Sequence, residues 1–287
     1  MPYMLSCDST TDLTLAQYAA LDLHYVSLHF LLDGKEYPDD YGQSLPMKTF
    51  FDAMAAGATT GTSQVTTGEF ELYFRQFLEQ GSDILHVSLS SGLSGCYHSA
   101  CAARDMLLEE FPERKIAAID TYAASLGEGL LVLEAARMLE NGAPFSLIVE
   151  QISQRRRTMC QYFTVDDLAY LERGGRVSKA AAIVGTVLKI KPLLRGDDEG
   201  KIVQCGKTRG RKQSLTALAD FYEKLAADKT EEIGIAHADD EAGAQFLLDA
   251  LRQRGFTGEC LTVCYEPVTG SHVGPGTVAL FFQGFHR

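Results

Sequence analysis

The sequence predicts an α/β protein in two parts, residues 1–155 and 156–287. In the first part, apolar segments alternate with amphipathic ones, which is typical of a Rossmann-like, mostly parallel sheet with helices on both faces. The second part has six apolar segments and only two helical patterns, which predicts a mixed or antiparallel sheet. Charge supports the division. The first part holds 8 Lys and Arg against 21 Asp and Glu, and the second holds 18 against 17.

The elements of the first part are assigned from hydrophobic periodicity. The expected strands are Tyr3–Cys7, Val26–Leu31, Ile84–Val87 and Ile116–Ile119, and the helices that follow them are Leu13–Leu21, Met47–Ala55, Gly95–Phe111 and Ser125–Asn141. A further helix is predicted after Thr66, because Thr66 and Glu69 have the spacing of a capping box before an apolar helical pattern. The segment Gly61–Gln64, which precedes this helix, is expected to be a loop.

The second part is assigned in the same way. Its expected strands are Tyr162–Val165, Val187–Leu194, Lys201–Lys207, Glu232–Ala236, Glu259–Val263 and Thr277–Phe282, and its expected helices are Leu215–Ala226 and Ala242–Arg254. Two further features carry polar side chains. Arg176 follows two glycines after a helical turn, and His272 lies in a segment rich in Gly and Pro, 270–276, that is expected to be a loop.

The junction from Ser88 to Gly95 predicts an anion-binding site. It joins an apolar strand to a helix opening near Gly95, and the first N–H groups of a helix have no partners within it. Ser94 and neighbouring serines add hydroxyl donors, although capping of the helix explains serines here equally well. A hydrolase nucleophile elbow requires Gly-x-Ser-x-Gly, whereas Gly95 follows Ser94 directly.

The ends of three predicted strands carry further polar residues. Asp8-Ser9, Ser90 to Ser94 and Asp120-Thr121 each follow an apolar segment of the first part. In open α/β sheets, ligands bind outside the carboxyl ends of the strands. These three segments are therefore expected to converge.

Charge excludes one class of partner. A net charge of −12 argues against nucleic-acid binding, which needs Lys and Arg over an extended surface. The segment from Arg173 to Lys212 nevertheless holds 11 basic and 3 acidic residues. This local charge suits acidic head groups at a membrane surface in a transient contact, phosphates or an acidic partner, and a solvated face is the other interpretation.

Cysteines, histidines and apolar runs indicate the compartment. The seven cysteines include no Cys-x-x-Cys pair and no secretory signal precedes them, which favours reduced thiols in the cytoplasm. Histidines are scattered, so no metal site is predicted. No apolar run reaches the roughly 18 residues of a membrane span.

Gly206-Lys207-Thr208 resembles the end of a P-loop, but Lys201 stands where the first glycine of that motif belongs. No ATP site is therefore predicted.

Motifs over nearly the whole chain resemble those of the DegV family of bacterial fatty-acid-binding proteins. They are Asp8-Ser9-Thr10-Thr11-Asp12-Leu13, Thr62-Ser63-Gln64, Ser90-Ser91-Gly92-Leu93-Ser94-Gly95, Asp120-Thr121, Leu171-Glu172-Arg173-Gly174-Gly175-Arg176-Val177, Ile190-Lys191-Pro192-Leu193-Leu194 and His272-Val273-Gly274-Pro275-Gly276. Val65 stands where the family usually has proline, and Cys96 where threonine is common. Neither departure removes a side chain assigned to the ligand.

The resemblance implies a carrier rather than an enzyme. One long-chain fatty acid would be buried between the two parts, with Thr62 and Ser94 bonded to its carboxyl beside Gly95, and His272 and Arg176 completing the polar network. A separate catalytic subunit of fatty acid kinase would phosphorylate that carboxyl, giving an acyl-phosphate for phospholipid synthesis. Arg209 would lie on the surface that docks this subunit. The fatty acid is the implied ligand, and no cofactor is implied.

Two other functions are weighed against the carrier. One is a serine acyl hydrolase that uses Ser94 and His272, which requires an acid to orient the histidine and an oxyanion hole. The other is a pocket for a different anion, such as a phosphorylated metabolite, which the same helix N-terminus would accept.

Overall fold

The computed structural model describes residues 3–178 and 190–287. The fold is α/β, as predicted. The helices and strands up to residue 155 are β1 (Tyr3–Asp8), α1 (Leu15–Ala20), β2 (His24–Val26), β3 (His29–Leu32), β4 (Lys35–Pro38), α2 (Met47–Ala55), β5 (Thr60–Ser63), α3 (Thr67–Glu79), β6 (Asp83–Ser88), α4 (Cys96–Glu110), β7 (Ile116–Asp120), α5 (Leu126–Glu140) and α6 (Phe145–Arg155). A short 3-10 turn, Ser9–Thr11, follows β1.

The helices and strands after residue 155 are β8 (Met159–Thr164), α7 (Ala169–Arg173), β9 (Ile190–Gly196), β10 (Ile202–Arg209), α8 (Arg211–Leu225), β11 (Ile233–His237), α9 (Glu241–Gln253), β12 (Cys260–Cys264), α10 (Pro267–Val273) and β13 (Val278–Gln283). The first three residues of the predicted strand Val187–Leu194 lie outside the described residues.

The strands of the described ranges form three sheets. The first is parallel throughout, in the order β2-β1-β6-β7. A small antiparallel sheet follows the order β4-β3-β5. The largest has six strands in the order β10-β9-β8-β13-β11-β12, and it is mixed because β11 and β12 are parallel while the other pairs are antiparallel. The parallel first sheet and the mixed sheet of the second part confirm the predicted fold class.

The prediction of one strand over Val26–Leu31 was wrong. The chain leaves the parallel sheet after Val26 and enters the small sheet at His29. Ser27 stabilises this change of sheet, because its hydroxyl donates to the carbonyl of Asp39 at 3.0 Å. A continuous apolar pattern does not reveal that its two halves pair with different partners.

Helix α5 connects the two large sheets. It packs against β1 and β6 of the parallel sheet and against β8, β11 and β13 of the mixed sheet. Most of its residues are buried on every side, as expected for a helix covered all round. The boundary near Arg155 stays a prediction, and the two parts share a continuous core through this helix.

Strand β13 shows how the mixed sheet is covered on its two faces. Val278, Leu280 and Phe282 pack in a cluster with α8 and α9. Ala279 and Phe281 point the other way, into the core shared with the first part. This alternation turns one face of the mixed sheet toward the parallel sheet, and a cavity lined by Ala279 and Phe281 lies there.

Two further observations concern membrane-spanning helices and the state of the cysteines. None of the helices in the described ranges is long and apolar enough to cross a bilayer. All seven cysteines are free, and both the reduced state in the cell and the cytoplasmic location stay predictions.

Candidate functional site

A cavity of about 500 Å³ lies between the two parts of the chain. This volume falls within the range of roughly 300–1,000 Å³ typical of small-molecule sites. Its wall is mostly apolar and includes Leu28, Leu171 and Phe281. The polar side chains among its lining residues are Thr10, Thr62, Ser63, Gln64, Thr66, Ser94, Ser125, Gln161, Arg176, Tyr265, Thr269 and His272. Four of the five ligand residues predicted from sequence therefore line one cavity.

Thr62 and His272 meet across the cavity wall. The hydroxyl of Thr62 lies 2.9 Å from Nε2 of His272, although the residues are 210 positions apart. Thr62 is on strand β5 and not in a loop, so the predicted loop over Gly61–Gln64 was wrong. β5 is a short strand of the small sheet, and Thr-Gly-Thr-Ser carries no apolar alternation that would indicate it.

His272 lies in helix α10, which corrects the predicted loop. Glu266 caps this helix by accepting from the backbone N–H groups of Val268 and Thr269. Pro267 occupies the first turn, where its missing N–H costs nothing. Glu266-Pro267 is a sequence signal for the start of a helix, but the glycines that follow it favoured the prediction of a loop.

Gly174 lets the ring of His272 fit against helix α7. A Cβ added at Gly174 would lie 2.1 Å from Nδ1 of His272, so only glycine leaves room for the ring. Nδ1 is buried and has no hydrogen-bond partner among the described residues. A bare acceptor nitrogen costs less than a bare N–H, which places the imidazole proton on Nε2, facing Thr62.

His272 is neutral near pH 7. Burial, together with a smaller effect from the nearby positive charge of Arg176, lowers its pKa to about 4. Nε2–H therefore donates to the hydroxyl oxygen of Thr62, and the hydroxyl proton of Thr62 is left for a group inside the cavity. A neutral imidazole also avoids placing a second positive charge beside Arg176.

Arg176 supplies the positive charge of the cavity. Its Nε and Nη2 donate to the carbonyl of Leu93 at 3.0 and 2.8 Å, and its Nη1 donates to the carbonyl of Gly174 at 2.5 Å. These bonds join the glycine turn after α7 to the loop before α4. Burial lowers the pKa of Arg176. Within residues 3–178 and 190–287, no carboxylate forms an ion pair with Arg176, so its charge is left for an anionic ligand.

Ser94 has a hydroxyl that is only weakly engaged. It accepts from the backbone N–H of Cys96, the first residue of α4, at 3.3 Å, although the N-cap of this helix is Gly95. It donates to Sγ of Cys96 at 3.3 Å, and sulfur is a poor acceptor. A carboxylate in the cavity is a stronger acceptor and would accept the hydrogen bond from this hydroxyl in place of the sulfur.

Gly95 does not line the cavity. It is the N-cap of α4, and a Cβ at this position would lie 2.1 Å from Oε1 of Gln64. Gln64 itself lines the cavity, so Gly95 makes room for a lining side chain. Its predicted place among the ligand-binding residues stays a prediction.

The three strand ends converge, as predicted. The carboxylate of Asp8 accepts from Leu89 N at 2.9 Å and from Ser88 Oγ at 2.7 Å. That of Asp120 accepts from Ser91 N at 3.2 Å. Both carboxylates thus hold the loop that leads to Ser94, and neither lines the cavity. Their role in the structure is to position this loop.

The hairpin between β9 and β10 closes part of the cavity, which the sequence did not indicate. Ser90 Oγ donates to the carbonyl of Gly200 at 2.9 Å, and Gly196, Gly200 and Ile202 line the wall. The glycines and the exposed turn of this hairpin gave no sequence signal that it contacts the first part of the chain.

A smaller cavity of about 230 Å³ adjoins the polar end. It shares Thr62, Arg176 and His272 with the larger cavity and adds Arg173 and Tyr170. The guanidinium of Arg173 stacks 4.6 Å from the ring centroid of Tyr170. The chamber therefore holds a second arginine close to the predicted carboxyl position.

The geometry required of a serine hydrolase is not present in the described residues. Ser94 bonds to Cys96, and Nε2 of His272 bonds to Thr62, so the candidate nucleophile and base are not joined. Nδ1 of His272 has no carboxylate to orient it.

Comparison with known proteins defines the family. The model of a family described as "Uncharacterised protein, DegV family" matches residues 5–284. The chain is 38% identical to a DegV domain-containing protein of Clostridium perfringens over 98% of this chain and 97% of that one. The chain belongs to the DegV family.

Two solved structures resemble the fold closely. A DegV family protein from Thermus thermophilus, described as binding fatty acid, has a TM-score of 0.88 at 30% identity, covering 99% of this chain and 100% of that one. A fatty-acid-binding DegV family protein from Streptococcus agalactiae has a TM-score of 0.87 at 31% identity, covering 98% of each chain.

Proposed function

We propose that this protein binds one long-chain fatty acid and presents its carboxyl to a separate kinase subunit. The acyl chain occupies the apolar cavity, and the carboxylate lies at the polar end with Thr62, Ser94, Arg176 and His272. Phosphorylation of the carboxyl by the partner gives an acyl-phosphate for phospholipid synthesis. The protein itself is a cytoplasmic carrier and uses no cofactor.

The charge of Arg176 is the observation that carries this proposal. A partly buried guanidinium without a carboxylate partner among the described residues favours an anion, and the wall of its cavity is mostly apolar. A ligand with one anionic end and a long apolar body meets both requirements. The fatty-acid-binding relatives from T. thermophilus and S. agalactiae support the same ligand class.

The acyl chain supplies most of the affinity. About 14 methylenes at ~0.8 kcal/mol each contribute roughly 11 kcal/mol before the costs of ordering ligand and protein. A charge-assisted hydrogen bond contributes about 1.5–3 kcal/mol. The polar end therefore fixes the orientation of the ligand, and this orientation is what a kinase would need.

The smaller cavity supports presentation to a phosphate donor. It adjoins Thr62 and His272, and its two arginines, Arg173 and Arg176, have the charge that phosphate groups prefer. A donor held by the partner would reach the carboxyl through this chamber. The chain's own P-loop-like segment lies on strand β10 and lacks the glycine-rich loop.

Quantitative lipid analysis tests the proposal. Protein purified from a bacterial host is expected to release about one equivalent of long-chain fatty acid on extraction, identified by mass spectrometry. Absence of fatty acid, together with no binding of added palmitate or oleate, contradicts the proposal. Recovery of a phosphorylated metabolite instead supports the other anionic ligand.

The carboxyl contacts give a prediction for phosphorylation. Thr62→Ala, Ser94→Ala and His272→Ala are each expected to slow acyl-phosphate formation at least tenfold. The first two lose a hydrogen bond to the charged carboxylate, and the third loses the bond that orients the hydroxyl of Thr62. Palmitate binding is expected to weaken less, since the acyl chain stays buried. Wild-type phosphorylation rates in all three variants would refute the assignment.

Arg209 gives a prediction for the partner surface. It ends strand β10, is exposed, and does not line the cavity. Arg209→Glu is expected to reduce acyl-phosphate formation in a salt-dependent way, because exposed charges are screened beyond about 8 Å at physiological ionic strength. Fatty acid content is expected to stay at the wild-type level. Normal phosphorylation at low salt would exclude this docking surface, and loss of lipid would place Arg209 in the pocket instead.

A further inference from the structure

The wall of the larger cavity carries a polar group away from the carboxyl site. Tyr265 stands directly before the N-cap of helix α10, lines the cavity, and is 2% exposed. We propose that its hydroxyl recognises a hydroxyl group on the acyl chain, so that hydroxylated long-chain fatty acids are the preferred ligands of this cavity. The inference rests on the proposed binding of a fatty acid and specifies the class of acyl chain that is bound.

The hydroxyl of Tyr265 is free to bind a ligand. It forms no hydrogen bond with residues 3–178 and 190–287, although a buried tyrosine hydroxyl usually has a partner. Its oxygen is not sealed by protein atoms, in contrast to the oxygen of Tyr222, which is enclosed and also lacks a partner among these residues. Because the side chain of Tyr265 lines the cavity, the open space beside this oxygen is the ligand space.

Ser125 supplies an acceptor next to this donor. One carboxylate oxygen of Asp12 accepts from the backbone N–H of Glu266 at 2.7 Å, and the other accepts from the hydroxyl of Ser125. Ser125 therefore lies beside Tyr265, and it also lines the cavity. Its φ of 56° is in the left-handed region that favours glycine, so the fold holds it in a strained conformation. Since its proton is used by Asp12, its oxygen is left to accept.

Gln161 approaches the same place from the mixed sheet. Its Oε1 accepts from the backbone N–H of Ala124 at 3.0 Å, and its Nε2 donates to the carbonyl of Tyr122 at 3.0 Å. Ala124 is the chain neighbour of Ser125, and all three of Gln161, Ala124 and Ser125 line the cavity. A side-chain amide has two N–H donors, so the second donor of Gln161 has no partner among the described residues.

These groups lie well inside the cavity, at a distance from the carboxyl site. Tyr265 and His272 are seven positions apart, which corresponds to roughly 10 Å at a helical rise of about 1.5 Å per residue. On strand β8, Gln161 is two residues farther from α7 than Phe163, which also lines the cavity. An extended acyl chain with single bonds of about 1.5 Å advances roughly 1.3 Å per carbon. A hydroxyl near the middle of an 18-carbon chain would therefore reach Tyr265.

A chain hydroxyl has the donors and acceptors that this part of the wall requires. It would accept from the hydroxyl of Tyr265 and the amide of Gln161, and it would donate to the oxygen of Ser125. A methylene in the same place excludes water and leaves these groups without partners. Among the described residues that line the cavity, Arg176 alone is charged. A second carboxylate on the ligand would lack a countercharge here, so a neutral hydroxyl fits better.

Three fatty acids test the inference in the delipidated wild type. Stearate, 10-hydroxystearate and 2-hydroxystearate are to be compared by competition binding. The protein is expected to bind 10-hydroxystearate about tenfold more tightly than stearate, because the chain hydroxyl gains partners that water would otherwise supply. For 2-hydroxystearate no gain over stearate is expected, since its hydroxyl stays beside the carboxyl. This comparison does not depend on any variant.

Tyr265→Phe keeps the ring and removes the hydroxyl. It is expected to bind 10-hydroxystearate about tenfold more weakly than the wild type does and stearate about threefold more tightly, which inverts the preference. Tyr222→Phe is the matched control. It removes a hydroxyl that also lacks a partner among the described residues, but on the face of the mixed sheet covered by α8 and α9, and it is expected to keep the wild-type preference.

The outcomes separate this inference from the proposed function. If wild type binds stearate and 10-hydroxystearate equally well, or if Tyr265→Phe keeps the preference for the hydroxylated acid, the inference is overturned and fatty acid binding stands. An equal gain for 2-hydroxystearate would also overturn it, since the position of the hydroxyl would not matter. If the wild type binds none of the three acids, the proposed function fails together with the inference.

Discussion

Replacing Arg176 by methionine is expected to reduce affinity for palmitate by at least about 30-fold. The reason is that the carboxylate would remain in a partly buried site without its countercharge, which costs about 2 kcal/mol or more. Affinity for 1-hexadecanol, which has the same chain and no charge, is expected to change far less. The variant should therefore lose the preference of the wild type for the acid over the alcohol, as measured by titration of the delipidated protein.

Two controls separate charge from structure at this position. Arg176 also joins the carbonyls of Leu93 and Gly174, so thermal unfolding of the delipidated variant shows how much stability these bonds contribute. Arg157→Met removes an exposed arginine and is expected to leave both affinities unchanged. An unchanged preference for palmitate in Arg176→Met would show that this guanidinium does not face the carboxyl.

Ala279→Phe is expected to abolish most fatty acid binding by filling the cavity. Ala279 is buried on β13 and lines the apolar wall opposite the face covered by α8 and α9. A phenyl ring that displaces about four methylenes of the ligand removes roughly 3 kcal/mol of burial, which is a loss of more than about 100-fold. Mass spectrometry of the purified variant is expected to find it nearly free of lipid.

The stability of the ligand-free variant shows whether Ala279→Phe loses fatty acid binding because the ring fills the cavity. Without ligand, Ala279→Phe is expected to unfold at the wild-type temperature or above it, because the ring occupies apolar space that is otherwise vacant. Added palmitate should raise the unfolding temperature of the wild type and of Ala55→Phe, an exposed change on α2, but not that of Ala279→Phe. Normal lipid content in Ala279→Phe would place the acyl chain elsewhere.

Much of the fold followed from local sequence patterns. The capping box of Thr66 and Glu69 and the full extent of α2 are as predicted, because caps and amphipathic periodicity act within one turn or two. The strands Lys35–Pro38 and Thr60–Ser63, which each pair with His29–Leu32, were missed. These short strands have little apolar alternation, and their stability comes from partners distant in the chain.

The site was predictable in composition but not in its supporting contacts. Thr62, Ser94, Arg176 and His272 were singled out by motif, and the structure brings them to one cavity. Their supports depend on tertiary contacts such as the room that Gly174 leaves for His272. The place of Tyr265 in the cavity wall was also invisible, since nothing around it in the chain distinguishes it from a tyrosine of the core.

The position of the ligand carboxyl tests the central claim most directly. Palmitate labelled with ¹³C at the carboxyl is to be titrated into the delipidated protein and followed by NMR from pH 7 to pH 4.5. We expect one bound resonance at one equivalent, which keeps the shift of a carboxylate at pH 4.5, because Arg176 lowers the pKa of the bound carboxyl below the usual value of about 4–5. A bound carboxyl that becomes protonated over this range as it would in water, or the absence of any bound resonance, would contradict the account.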